Sequence, residues 1–227
     1  ASTVFTIDLR RPMGVELSVN KSTAILALFV PKVGDGKLSS KTIVVDAGHG
    51  GHDSGARAPD GSATEKWMTL AIAKELSRAL VSEGATVVMT RNDDTFIPLK
   101  ERPAIGNRIN ADFFISVHIN SNSPNRAATG GMAFYHGHDP ISQLLAECIQ
   151  TEIGKVSKLK SIGALSDFKL YDTGLAVLRL SYGPAALIEF GFINNPNDRA
   201  RMLSKDFQTQ VAAAIVKGLK VYLGNAD

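Results

Sequence analysis

The chain has 227 residues, 44% of them hydrophobic and 21% charged, which suits one well-buried domain and excludes wholesale disorder. Its net charge of +3 favours an anionic surface or polymer, but no Lys/Arg stripe interleaved with aromatics points to nucleic acid. No apolar run approaches the roughly 18 residues of a transmembrane helix, so no membrane span is expected.

Ala1 opens the chain without a methionine or a signal-peptide pattern, which reads as a trimmed chain or a mature fragment. Three β-rich pieces follow, VFTIDL (4–9), GVELSV (14–19) and TAILALFV (23–30), with Arg11-Pro12 and Asn20-Lys21 as turns. Gly34 to Ser40 reads as a linker. The expected organisation is therefore a β-rich N-terminal segment and linker over 1–40, and the main domain over 41–227. The first part is either a hairpin packed on the main domain or the remnant of a preceding β-rich module.

From Lys41 the pattern changes. KTIVVDA is a continuous apolar strand, as expected when both faces are covered. Helical spacing runs from Thr64 to Glu83, with Gly84 at its end. ATVVMT is the next strand, and Pro98 to Asn110 is a second helix, broken or started near Pro103. ADFFISVHI and GGMAFYH read as strands, Pro140 to Val156 as a helix, AALIEF as a strand, and Asn197 to Leu223 as one closing helix. Alternating strands and helices predict an α/β fold, a mostly parallel twisted sheet of about five or six strands with helices on both faces. The lone cysteine, Cys148, sits in the helical pattern ISQLLAECIQTEI and reads as a small buried hydrophobe, not a nucleophile.

In open α/β sheets, ligands gather beyond the carboxyl ends of the strands. Three predicted strands end in an ionisable residue or place one just beyond: His49 after IVVDAG, His118 in FFISVH, and Glu189 in AALIE. Glu65 opens the helix that follows the first of them, so its side chain is expected at the same rim. Two neutral imidazoles and one carboxylate form a common catalytic zinc shell that leaves a position for water. His49, Glu65 and His118 are the expected ligands, and Glu189 the expected general base and acid. Asp46 either orients His49 or caps the glycine-rich turn.

Each of these residues has a plainer role to set beside the chemical one. Ser62-Ala63-Thr64-Glu65 is an S-x-x-E capping box in which Glu65 would bind the Ser62 amide. His118 alone would be a hydrogen-bonded core histidine. Glu189 inside ALIEFGF tips the balance, because a carboxylate among apolar residues costs several kcal/mol unless paired or functional. His52 is a second candidate ligand or a substrate contact. His136-Gly137-His138 has chelating spacing, but ahead of Asp139-Pro140 it reads as an exposed turn. The stretch GHGGHDSGA lacks the G-K-[ST] ending of a phosphate loop and does not fit G-x-G-x-x-G; no G-x-S-x-G elbow exists.

These residues in this order resemble the zinc-dependent N-acetylmuramoyl-L-alanine amidase family of cell-wall amidases, from about Thr42 to Leu223. The pieces are IVVDAGHGGHDSGA, Glu65-Lys66, VVMTRNDD with LKERPAIGNRINADFFISVHINS, and LAVLRLSYGPAALIEFGFINNPND. The resemblance implies one Zn2+ held by His49, Glu65 and His118, with Glu189 as the catalytic glutamate. It implies hydrolysis of the amide joining the lactyl group of N-acetylmuramic acid to the L-alanine of the stem peptide. Peptidoglycan is then the partner, the location periplasmic or extracellular, and a monomer is expected. His118 is followed by Ile-Asn-Ser, where many members carry Ala-Asn-Ala or Ala-Asp-Ala. Glu189 lies only 71 positions beyond His118. Some relatives carry a long helical plug in that interval until a regulatory partner removes it. Residues 137–184 read here as one helix and a loop, so no autoinhibitory insertion is expected. A non-catalytic peptidoglycan-binding module and a zinc hydrolase of another amide are the competing functions.

Overall fold

The computed structural model describes residues 14–29, 36–122 and 126–224. The first described segment is a hairpin, β1 (Gly14–Val19) paired antiparallel with β2 (Ala24–Phe29), which forms a sheet of its own. Its turn is made by Asn20, whose Oδ1 accepts the amides of Ser22 and Thr23. The predicted strand VFTIDL and the start of the predicted linker lie outside the described residues.

The main sheet holds β3 (Thr42–Ala47), β4 (Thr86–Met89), β5 (Phe113–Asn120), β6 (Gly131–Tyr135), β7 (Ser161–Ser166) and β8 (Ala185–Phe192). Their spatial order is β4-β3-β5-β8-β6-β7, and all neighbours run parallel except β6 with β8. Helices α1 (Glu65–Ser82), α3 (Pro140–Val156) and α6 (Lys205–Tyr222) pack over one face. The other face carries the short α2 (Glu101–Arg108) and α4 (Ala176–Arg179). A further helix, α5 (Pro196–Leu203), follows β8.

Strand residues alternate between the two cores, as a period of two requires. Ile43, Val45, Ile115, Val117, Ala186 and Ile188 belong to the larger core, and Val44, Phe114, Ala185 and Leu187 to the smaller. By the same alternation Asp46, Ser116, His118 and Glu189 project on the side of the smaller core. The functional candidates are thus placed by the pleat, at one end of adjacent central strands.

Three expectations need correction. The predicted closing helix over Asn197 to Leu223 is two helices. Ser204 takes an extended conformation between them, and its Oγ accepts the Phe207 amide to cap α6. Residues 137–184 hold more than one helix and a loop, since β7, a three-residue 3-10 turn (Asp167–Lys169) and α4 follow α3. β7 was missed because SIGALS is an edge strand with weak apolar patterning, paired only with β6. The second predicted helix begins at Glu101, which puts Pro103 in its first turn, where a missing N–H is harmless. Cys148 is buried on α3, and burial pushes its thiol up to about 12, which removes a thiolate from consideration.

Candidate metal centre

After β3 the backbone turns sharply off the sheet. His49 adopts φ +62, in the left-handed region that non-glycine residues seldom occupy, with Gly50, Gly51 and Gly55 also at positive φ. Two buried arginines hold this turn by its carbonyls. Arg91 donates to the oxygens of Ala47 (2.9 Å) and Gly48 (2.8 Å), and Arg102 to those of Ala47 and His49 (both 2.8 Å). Beneath them Asp46, fully buried, accepts Arg102 Nη1 at 2.9 Å and the hydroxyls of Thr90 and Ser116 at 2.7 Å each. The sequence did not single out either arginine. Each lies where an arginine is usually a solvated surface residue, and only tertiary structure shows what it grips.

Asp46 therefore does not touch the His49 ring; it acts on that residue's backbone through Arg102. The carboxylate beside the imidazole is Asp53, whose Oδ2 lies 2.9 Å from His49 Nδ1. Removing Asp46 strands a buried guanidinium, so Asp46→Ala should destabilise the fold by about 3–5 kcal/mol, read as a lowered urea midpoint at an unchanged slope.

With Nδ1 engaged, His49 presents Nε2, which lies 3.1 Å from Glu65 Oε1. The same Oε1 lies 3.0 Å from His118 Nδ1, and the two rings meet edge to face at 5.1 Å. The donor atoms of His49, Glu65 and His118 all fall within 4.8 Å of one another, the one such group among the described residues. Tetrahedral ligands at zinc distances sit roughly 3.3–3.6 Å apart, so the set fits a metal and could hold one. Glu65 makes no capping box: Oε2 accepts the Ala56 amide (2.9 Å) and Oε1 that of Ile119 (3.0 Å), while the Ser62 amide goes to Asp60. Thr64 is the residue at the N-cap of α1.

The glycines clear space for the clustered side chains themselves. A Cβ on Gly48 would lie 2.4 Å from the His118 ring, and one on Gly55 2.6 Å from both Glu65 Oε2 and the His49 ring.

Glu189 pairs in register with His118 across β5 and β8. Its Oε2 is buried with no hydrogen-bond partner. Burial pushes its carboxyl up to about 7, against the pull of the His118 charge. Burial lowers both imidazoles, but hydrogen bonding and charge from Glu65 outweigh it, and both finish above 6.5. Burial raises Glu65, yet its hydrogen bonds to His118 and His49 hold it well below the usual carboxylate range.

A cleft of about 510 Å³ opens over His49 and His118. Phe96, Ile97 and Leu99 line it from the segment after β4, and Tyr171, Leu175 and Val177 from the segment around α4. The other histidines lie apart from the cluster. His52 stacks on Phe96 at 4.1 Å, and His136 turns Nδ1 toward Asp167 at 3.1 Å while His138 is exposed.

Comparison with known proteins identifies the family. The family described as N-acetylmuramoyl-L-alanine amidase matches residues 43–221. The chain is 38% identical over 186 residues to the probable cell wall amidase LytH of Staphylococcus aureus, covering 82% of this chain and 59% of that one. The chain thus spans under two thirds of the length of the curated relatives it matches. The N-acetylmuramoyl-L-alanine amidase of Clostridium difficile 630 superposes with TM-score 0.77 at 33% identity, covering 83% of this chain and all of that one. The CwlD amidase of Clostridioides difficile, solved with the GerS lipoprotein, gives 0.74 at 32% identity, with 81% and 98% covered. Fold, converging donors and sequence together place this chain in the N-acetylmuramoyl-L-alanine amidase family.

Proposed function

We propose that residues 41–227 form a zinc-dependent peptidoglycan amidase that hydrolyses the amide between the lactyl group of N-acetylmuramic acid and L-alanine. The observation that carries it is the cluster of His49, Glu65 and His118 beside Glu189, which pairs in register with His118 and has one carboxylate oxygen buried without a hydrogen bond. His49 Nε2, Glu65 and His118 Nδ1 would hold the metal, with Asp53 fixing the His49 ring. Zinc, when bound, polarises a carbonyl and acidifies water.

The remaining chemistry belongs to Glu189. Burial raises the Glu189 carboxyl well above the usual carboxylate range, which suits a group that must both take and return a proton. The Glu189 carboxylate would accept a proton from the attacking water as the water oxygen bonds to the lactyl carbonyl carbon. The same carboxyl group would then deliver that proton to the alanine nitrogen as the C–N bond breaks. The aliphatic and aromatic walls of the cleft would exclude bulk water from this exchange.

Chelation should abolish hydrolysis of purified peptidoglycan and zinc should restore it; activity surviving full metal removal would refute the proposal. Acid should release the metal, because protons and zinc compete for the same ring nitrogens. Since both imidazoles are raised above 6.5, the loss should begin at a higher pH than for a free imidazole. Metal content after dialysis across pH 5 to 8 reads this directly.

Such an enzyme would work in the periplasm or outside the cell, as a monomer on wall glycopeptide. No helix among the described residues is long and apolar enough to cross a membrane. CwlD has been solved with a lipoprotein partner; here α3, the long helix between His118 and Glu189, packs against α6 and the sheet. The isolated domain should therefore digest sacculi without an activator; feeble activity rescued by a partner would contradict this.

A further inference from the structure

A second pocket, of about 570 Å³, opens among the loops that flank the metal centre, lined by Asp60, Arg126, Asn194, Pro196 and Arg199. Asn194 is only 7% exposed. Its Oδ1 accepts the Asn122 amide at 2.9 Å and the Ser121 hydroxyl at 2.8 Å. A backbone N–H can only donate, so the orientation of the Asn194 amide is fixed. That leaves Nδ2, which has no acceptor among the described residues, as the spare donor of a residue that lines the pocket.

Arg199 is nearly buried and held in place, with Nη1 on the Ile193 oxygen at 2.8 Å and Nη2 on Asp60. Arg126 is exposed and has no acidic partner among the described residues. Two guanidiniums and an amide donor face one carboxylate, so the pocket is positive and rich in donors. That is the chemistry of a carboxylate site.

Its position ties it to the centre. Ser121 and Asn122 come three and four residues after His118, Asn194 five after Glu189, and Asp60 five before Glu65. Five extended residues span at most about 18 Å, so the backbone of these residues lies within that distance of His118, Glu189 and Glu65. A peptide of three to five residues, at about 3.3 Å each, covers the same range.

We propose that this pocket is a carboxylate subsite for the peptide arm of the substrate, an inference that rests on the amidase reading above. The lactyl group spends its carboxyl in the amide to be cut, so a free carboxylate at this distance comes from the peptide. Arg126 and Asn194 Nδ2 would receive it, and Asp60 would keep Arg199 from closing over the space.

Kinetics on two muropeptides that differ only in a free or amidated peptide carboxylate provide the test. Zinc-loaded wild type should prefer the free acid by about ten-fold in kcat/KM, the difference lying in KM. Arg126→Gln should collapse that preference. Asn194→Asp, which keeps the Oδ1 acceptor and replaces the donor with a negative charge, should turn the preference toward the amidated form. Calorimetry with the free stem peptide, acid or amide, should show the same order without turnover. Equal cleavage of both substrates by wild type, or a preference that survives in both variants, overturns the subsite and leaves the amidase reading standing. Failure to cut either substrate at the lactyl amide defeats the amidase reading, and the subsite falls with it.

Discussion

Glu189→Gln is expected to lower turnover of peptidoglycan by about 10³-fold or more while zinc content stays near that of the wild type. General acid–base catalysis contributes typically about 10²–10⁴-fold, and one carboxyl here is asked to supply both halves of it. Glutamine keeps the shape and removes the exchangeable proton. The substitution should not unfold the domain, because Oε2 has no hydrogen bond to lose and its burial already disfavours the charge. A melting temperature equal to or above that of the wild type is the companion result, as expected where a residue serves chemistry at the expense of stability. A non-catalytic wall-binding module would have no use for such a group. Undiminished hydrolysis by the variant would remove Glu189 from the mechanism.

Glu65→Ala should lose the metal altogether and destabilise the fold, a pairing of effects that separates it from Glu189→Gln. Glu65 is 4% exposed and accepts two backbone amides, from Ala56 and Ile119, besides facing both imidazoles. Stranding two amide donors costs roughly 2–4 kcal/mol even in the metal-free protein. His118→Ala is the useful contrast. It should also empty the site, but it leaves no backbone donor without a partner, so its metal-free form should unfold later in urea than that of Glu65→Ala. Equal stability of the two metal-free variants would show that the Glu65 amide contacts contribute little.

Much of this arrangement could be read from the sequence, because it rests on strand ends. The apolar runs IVVDA, FFISVH and AALIEF are buried on both faces, so their shared direction follows from βα alternation. The pleat then carries His118 and Glu189 to one side of the sheet. Glu65 is expected at the rim from its position at the start of α1, and the structure removes the capping box that the same four letters allow and sets Glu65 beside His49 and His118. What could not be read are contacts that join distant segments. Asp53 and Asp46 both stood near His49, and only the fold shows that Asp53 meets the ring while Asp46 underpins the loop through Arg102. Ser204 reads as one more residue of a long amphipathic helix until its extended backbone splits α5 from α6. β7 carries too little apolar pattern to announce a strand, and it owes its place to pairing with β6.

The glycine-rich turn illustrates the same limit. The atoms nearest to a Cβ on Gly48 or Gly55 are those of His118, His49 and Glu65, which no local pattern announces. Glycine there lets two histidines and a glutamate approach one point, which a side chain at either position would prevent.

The most direct measurement is mass spectrometry of the products released from purified peptidoglycan by the zinc-loaded domain, beside the same protein after metal removal. The account predicts free stem peptides with a new L-alanine amino terminus and glycan retaining intact lactyl carboxyls, formed only in the metal-loaded sample. Cleavage at a different bond, or the same products from the metal-free protein, would contradict it.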